Sequence, residues 1–255
     1  MLRTRVIPVL LLKDESLVKT IQFGKYGYIG DSINTCRIFN ELEVDELCFL
    51  DIAASKEKKE PDYKILQEIS NECFMPLSYG GGINSFAQAE KVFKIGFEKI
   101  IINSASFTHP EIITEIARVY GSQAVVIAVD VRKNFWGKYE VFGVSGTVNH
   151  KKNPVDWVKE VQNLGAGEIL LTSIDREGTW KGLDVDLVRK ITDTTSLPVI
   201  AHGGAGNIQH IEEVVKEGHA SAVALGSMVV YQKQGLGVLV NFPDKSTLEK
   251  SLNSL

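Results

Sequence analysis

The chain has 255 residues, 44% hydrophobic and 24% charged, with a formal charge of −4. That suits one large or two small globular domains, and the mild acidity argues against a nucleic-acid surface. Cys36, Cys48 and Cys73 form no C-x-x-C pattern and read as reduced thiols of a cytoplasmic protein, while no apolar run reaches the length of a membrane span.

Arg3 and Arg5 precede the apolar run Val6–Leu12 as in a secretory signal, but Lys13, Asp14 and Glu15 follow without a small-residue cleavage site. The run is therefore read as a first strand. Further apolar runs follow at Leu47–Asp51, Leu77–Tyr79, Ile100–Asn103, Ala124–Asp130, Ile169–Thr172, Val199–Ala201 and Ala222–Leu225. Most lack polar alternation, as expected of strands covered on both faces. Amphipathic stretches between them predict helices over Pro61–Glu72, Ser85–Ile95, Pro110–Tyr120, Pro154–Leu164 and Ile208–Glu217. Near the end, Ser246 and Glu249 are spaced as a capping box for a helix over Thr247–Leu252. Two connections are long, Thr20–Asp31 and Arg132–Asn153, and at least one is expected to be a mobile lid over the site.

The chain repeats itself. Pro76-Leu-Ser-Tyr-Gly-Gly-Gly-Ile and Pro198-Val-Ile-Ala-His-Gly-Gly-Ala-Gly each run from proline through an apolar stretch to paired glycines, 122 residues apart. At the same offset Gly96 pairs with Gly218, and Glu46-Leu-Cys-Phe-Leu with Glu168-Ile-Leu-Leu-Thr. Eight strands, each followed by a helix, in two similar halves, predict a single (β/α)₈ TIM barrel over residues 1–255.

Barrel chemistry sits at the C-terminal ends of the strands. There the candidates fall into two clusters: Gly82, Asn103 and Ser104 in one half, and Gly178, Gly203, Gly204, Gly226 and Ser227 in the other. Glycine turns let backbone N–H groups approach an anion, so the doubled clusters suit an elongated substrate with a phosphate at each end. The plainer alternative is that these glycines only make tight turns. Asp130 ends the fifth strand as a candidate general acid or base. Lys19, Asp51, Thr172, Glu177 and His202 complete the candidate substrate contacts. The stretch Asp175-Arg176-Glu177-Gly178 suits either a helix cap or a substrate hydroxyl contact. His202 has no Cys, Asp or Glu at ligand spacing, and neither a metal site nor a cofactor is expected. At the opposite end Arg5, Glu46, Lys99 and Glu168 begin strands, as a salt-bridged plug or a ring around an axial passage.

Four stretches carry a resemblance over the whole chain: Asp45-Glu-Leu-Cys-Phe-Leu-Asp-Ile-Ala-Ala-Ser, Gly121-Ser-Gln-Ala-Val-Val-Ile-Ala-Val-Asp, Gly165-Ala-Gly-Glu-Ile-Leu-Leu-Thr-Ser-Ile-Asp-Arg and Gly203-Gly-Ala-Gly. The chain resembles the cyclase subunit of imidazole glycerol phosphate synthase, a lyase of histidine biosynthesis. The resemblance implies a glutaminase subunit docked on the N-terminal face, and ammonia passing through the barrel to a substrate with two phosphates. It further implies that Arg5, Glu46, Lys99 and Glu168 are the ammonia gate and that the glycine clusters hold the phosphates. The family's acid–base pair is two aspartates. Asp130 matches one, but Leu11 stands at the other, with Asp14 three residues along. Glu177 replaces a family aspartate, and His202 a serine. Loss of one acid or base commonly costs about 10²–10⁴ in rate. A second reading follows: a paralogue that conducts ammonia without cyclising, feeding another acceptor, as in sugar amidination for surface polysaccharide. The related phosphoribosyl isomerase ranks last, because it does not need the four-residue gate.

Overall fold

A computed structural model describes residues 4–253. Among them eight parallel strands form the barrel: β1 Arg5–Lys13, β2 Leu47–Asp51, β3 Leu77–Gly80, β4 Lys99–Ile102, β5 Val125–Lys133, β6 Glu168–Ser173, β7 Val199–His202 and β8 Ala222–Leu225. Each pairs with the next, and β8 pairs back onto β1 to close the ring. This is the (β/α)₈ barrel that the sequence predicts.

Helices at Ser32–Glu41, Tyr63–Glu72, Phe86–Ile95, Glu111–Tyr120, Pro154–Asn163, Val185–Thr192, Ile208–Lys216 and Lys245–Asn253 follow the strands in turn. The last one begins differently from the sequence expectation. Asp244 Oδ1, not Ser246, accepts from the Thr247 N–H at 2.9 Å, and the Ser246 hydroxyl itself donates to Asp244. A carboxylate directly before the helix is a charged acceptor for its free N–H groups, and it also suits the positive end of the helix dipole.

Period-two alternation sorts the strand side chains into two cores. On β1, Val6, Leu10 and Leu12 face the helices, whereas Ile7, Val9 and Leu11 face inward with Cys48, Ile101, Val126, Ala128, Leu170, Ile200, Ala222 and Ala224. The same alternation joins the two ends of the barrel. Inward rows run Arg5–Ile7–Val9–Leu11, Lys99–Ile101–Asn103 and Glu168–Leu170–Thr172, each from a charged start to the mouth.

Both long connections are hydrogen-bonded ribbons. β1 turns at Asp14 into Ser16–Thr20, which pairs antiparallel with Tyr26–Asp31. β5 runs on past Asp130 to pair with Tyr139–Gly143, which pairs with Val148–Asn149. The fold also brings together cysteines that lie far apart in sequence. Cys36 and Cys73 come within hydrogen-bonding reach, which raises the Cys36 thiol, while Cys48 lies buried inside the barrel.

Candidate functional site

The mouth holds a cavity of about 340 Å³. Leu11, Leu50, Asp51, Gly80–Gly82, Asn103, Ser104, Asp130, Thr172, Glu177 and His202 all contribute to its wall. These sequence candidates thus share one cavity, and the two long connections expected over the mouth supply wall residues that the sequence reading did not name. Phe23, Gly24 and Tyr26 from the first ribbon and Ser145 from the second also line the cavity. The Gly- and Tyr-rich composition of Thr20–Asp31 was the available signal.

Asp130 is buried at the inner face of β5, where burial pushes its carboxyl up to about 7 and a hydrogen bond with Thr172 pulls the other way. Asn103 Nδ2 lies 3.3 Å from Asp130 Oδ2, and also donates to the carbonyls of Ala128 at 3.0 Å and Phe142 at 3.2 Å. The Asn103 amide is thus committed to holding Asp130 and the second ribbon. Ser104 Oγ accepts from the Val144 N–H at 3.0 Å. Asp51 Oδ1 accepts from the N–H groups of Ala53 and Ala54, starting a short helix at Ala54–Glu57.

Leu11 takes the place opposite Asp130 in the half-barrel pattern and is buried in the apolar lining. Asp14 does not stand in for it. Its side chain is largely exposed at the ribbon turn and pairs with Lys13 at 3.3 Å. Asp175 Oδ2 accepts from the Lys133 N–H at 2.9 Å, pinning the start of the second ribbon.

The second glycine cluster is built differently. Lys19, expected as a substrate contact, is buried in an ion pair with Glu177. Glu177 Oε2 also accepts from Thr20 Oγ1 at 3.1 Å and from the Phe23 N–H at 3.2 Å. Burial pulls the Lys19 ammonium down to about 7. His202 Nδ1 lies 3.2 Å from Thr172 Oγ1, and burial together with the Lys19 charge pushes its imidazole down to about 3, so it is neutral. Gly178, Gly203, Gly204, Gly226 and Ser227 line a separate space of only about 10 Å³ beyond these side chains.

Glycine is required by the backbone at both clusters. Gly82 has φ +69°, and a Cβ there would meet the Lys59 carbonyl at 2.5 Å. Gly204 has φ +110°, with the Gly182 carbonyl at 2.2 Å from such a Cβ. The tight-turn explanation thus accounts for these residues without a ligand, and space and charge must distinguish the clusters.

At the N-terminal end the four charged strand starts meet. Arg5 Nη1 donates to Glu46 Oε2 at 2.7 Å, and Arg5 Nη2 to Glu168 Oε1 at 2.6 Å. Lys99 Nζ donates to Glu46 Oε2 and Glu168 Oε2, each at 3.0 Å. The result is a closed ring of alternating sign across the bottom of the barrel.

A family model described as histidine biosynthesis protein matches residues 5–235. The chain belongs to that family. A putative imidazole glycerol phosphate synthase subunit hisF2 of Pseudomonas aeruginosa is 47% identical over 98% of this chain and 99% of its own length. A putative HisF subunit of Leptospira borgpetersenii is 47% identical over 98% of both chains. The imidazole glycerol phosphate synthase subunit HisF of Pelodictyon phaeoclathratiforme is 42% identical over 92% of this chain and 94% of its own. Within this histidine-biosynthesis fold, no helix among the described residues is long and apolar enough to cross a membrane. No group of three or more His, Cys, Asp or Glu side chains among them is placed to hold a metal ion.

Proposed function

We propose that this chain is the barrel subunit of a glutamine amidotransferase of the imidazole glycerol phosphate synthase type, working in the cytoplasm. A glutaminase subunit docks on the N-terminal face, and its ammonia crosses the barrel to a phosphorylated small molecule at the mouth. The observation that carries this reading is the Arg5–Glu46–Lys99–Glu168 ring, whose four members begin inward rows that end around the mouth at Leu11, Leu50, Asn103 and Thr172. A ring of paired charges blocks ions and water but opens if one cation swings aside. The apolar lining above it, with small residues at Ala128, Ala222 and Ala224, favours neutral ammonia over ammonium.

Asp130 is the candidate acid–base residue for ammonia attack. A carboxyl with a pKa near neutrality is suited to taking and returning protons. In this first reading the Gly80–Gly82 turn with Ser104, and the second cluster from Gly178 to Ser227, would be the phosphate contacts of the two-phosphate cyclase substrate. A second reading is favoured by Leu11. With an apolar side chain where the family carries its other aspartate, the barrel delivers ammonia to a different acceptor, as in sugar amidination. Co-purification with candidate glutaminases tests the shared part of both readings. Turnover of the two-phosphate substrate with ammonia, without the glutaminase, separates them.

A further inference from the structure

We infer that Lys19, Glu177 and His202 seal the second glycine turn from within, so that the mouth anchors its ligand by a phosphate at one end only, the Gly80–Gly82 end. This sets aside the second cluster as a phosphate contact and with it the two-phosphate substrate of the first reading, and rests on the reading shared by both that the mouth binds a phosphorylated small molecule.

The two ends are unequal in space. The cavity of about 340 Å³ reaches Gly80, Gly81, Gly82 and Ser104 directly. The space at Gly204, Gly226 and Ser227 is about 10 Å³, near the least that holds one water. A phosphate group is several times larger.

The side chains account for the difference. A Cβ on Gly226 would lie 2.8 Å from Lys19 Cε and 3.7 Å from His202 Nε2. The room left by that glycine is therefore taken by Lys19 and His202. Both are buried, as is Glu177.

Charge points the same way. Lys19 is the cation at this turn, and it is spent on Glu177, with a further hydrogen bond to the Thr20 carbonyl at 3.2 Å. Drawing Lys19 toward an incoming phosphate would strip Glu177 of its counter-ion and leave a buried carboxylate facing a second anion. Such unpaired burial is strongly unfavourable. His202 is neutral and adds no attraction. The three side chains together bring no net positive charge to the turn.

Crystals of the wild-type chain soaked in inorganic phosphate test this. One phosphate is expected beside Gly82 and Ser104, with none at Gly204 and Gly226, and equilibrium dialysis should count one phosphate per chain. His202→Ser, checked for folding by thermal melting, should admit a second phosphate at Gly226. A wild-type chain that already holds phosphate at both turns overturns the inference while leaving the proposed function standing. No phosphate at either turn overturns the phosphorylated-ligand reading, and the inference with it. A folded His202→Ser chain that still binds one phosphate removes His202 from the seal and overturns the inference as stated. The wild-type soak decides the matter even where the variant fails to fold.

Discussion

Leu11 and Asp130 hold the same place in the two halves of the barrel. Leu11 is level with Leu50 on β2, Asp130 is level with Thr172 on β6, and Leu50 and Thr172 are themselves 122 residues apart. The backbone thus preserves a symmetric pair of positions at which only one side chain can carry a proton. Burial is the main cause of the raised Asp130 carboxyl.

That environment gives Asp130 a pH signature. Its folded-state pKa of about 7 lies above the ordinary 3.8, so the folded chain holds this proton more tightly than the unfolded chain. The associated stability is full below pH 3.8 and is lost as pH rises toward 7. Asp130→Asn removes the titration, so the variant should gain on the wild type across that window. The steepest slope should be about 1.4 kcal/mol per pH unit. Urea unfolding at pH 4.5 and pH 7.5 measures the gap, and a gap independent of pH would refute the assignment.

The bottom ring makes a separate prediction. In Lys99→Ala, Arg5 still pairs with both Glu46 and Glu168, so the barrel should fold and still capture a glutaminase. The ring is open on one side, however. The fraction of hydrolysed glutamine whose nitrogen reaches the acceptor should fall about fivefold or more. Comparing glutamate released with aminated product gives the ratio. Equal ratios in variant and wild type, or no recoverable glutaminase, would remove the basis for conduction.

How much of this was legible beforehand depended on the range of the interactions. The strands could be read because both faces of each are covered, which writes near-continuous apolar runs such as Val199–Ala201. The ribbon made of Ser16–Thr20 and Tyr26–Asp31 was less visible, because Tyr26, Gly27 and Tyr28 face solvent and carry no core pattern. The site's charged groups could be named but not paired. Nothing local in Lys19 or in Glu177 says that residues 158 positions apart will neutralise each other beneath the second turn. The same holds for Asn103, whose side chain turned out to hold Asp130.

Gly204 makes a test of ligand binding by bulky substitution uninformative. A Cβ there meets the Gly182 carbonyl, a backbone atom that itself accepts no flexible adjustment, and the residue has a positive φ that favours glycine. Gly204→Ala should therefore destabilise the chain by at least about 2 kcal/mol, whether or not phosphate is present. Thermal melts with and without phosphate read this out. A variant as stable as the wild type would mean that the turn relaxes easily and that its glycine is kept for a ligand.

The last prediction concerns restoring the missing carboxylate. Leu11→Asp places an acid in the apolar lining opposite Asp130, where both groups will resist ionising together. On its own it supplies proton transfer but leaves the second turn closed by Lys19, Glu177 and His202. The two-phosphate cyclase substrate would then still be poorly held. The wild-type chain should turn that substrate over with ammonia slowly or not at all. Leu11→Asp combined with His202→Ser should exceed either single variant by at least tenfold, which corresponds to about 1.4 kcal/mol in the barrier. Steady-state rates with ammonium salts, without glutaminase, keep the gate out of the measurement. A wild-type rate as high as that of the Leu11→Asp, His202→Ser double variant would defeat the prediction. It would mean that bound water, rather than the exposed Asp14, does the work of the missing carboxylate, and that the closed turn opens when substrate arrives.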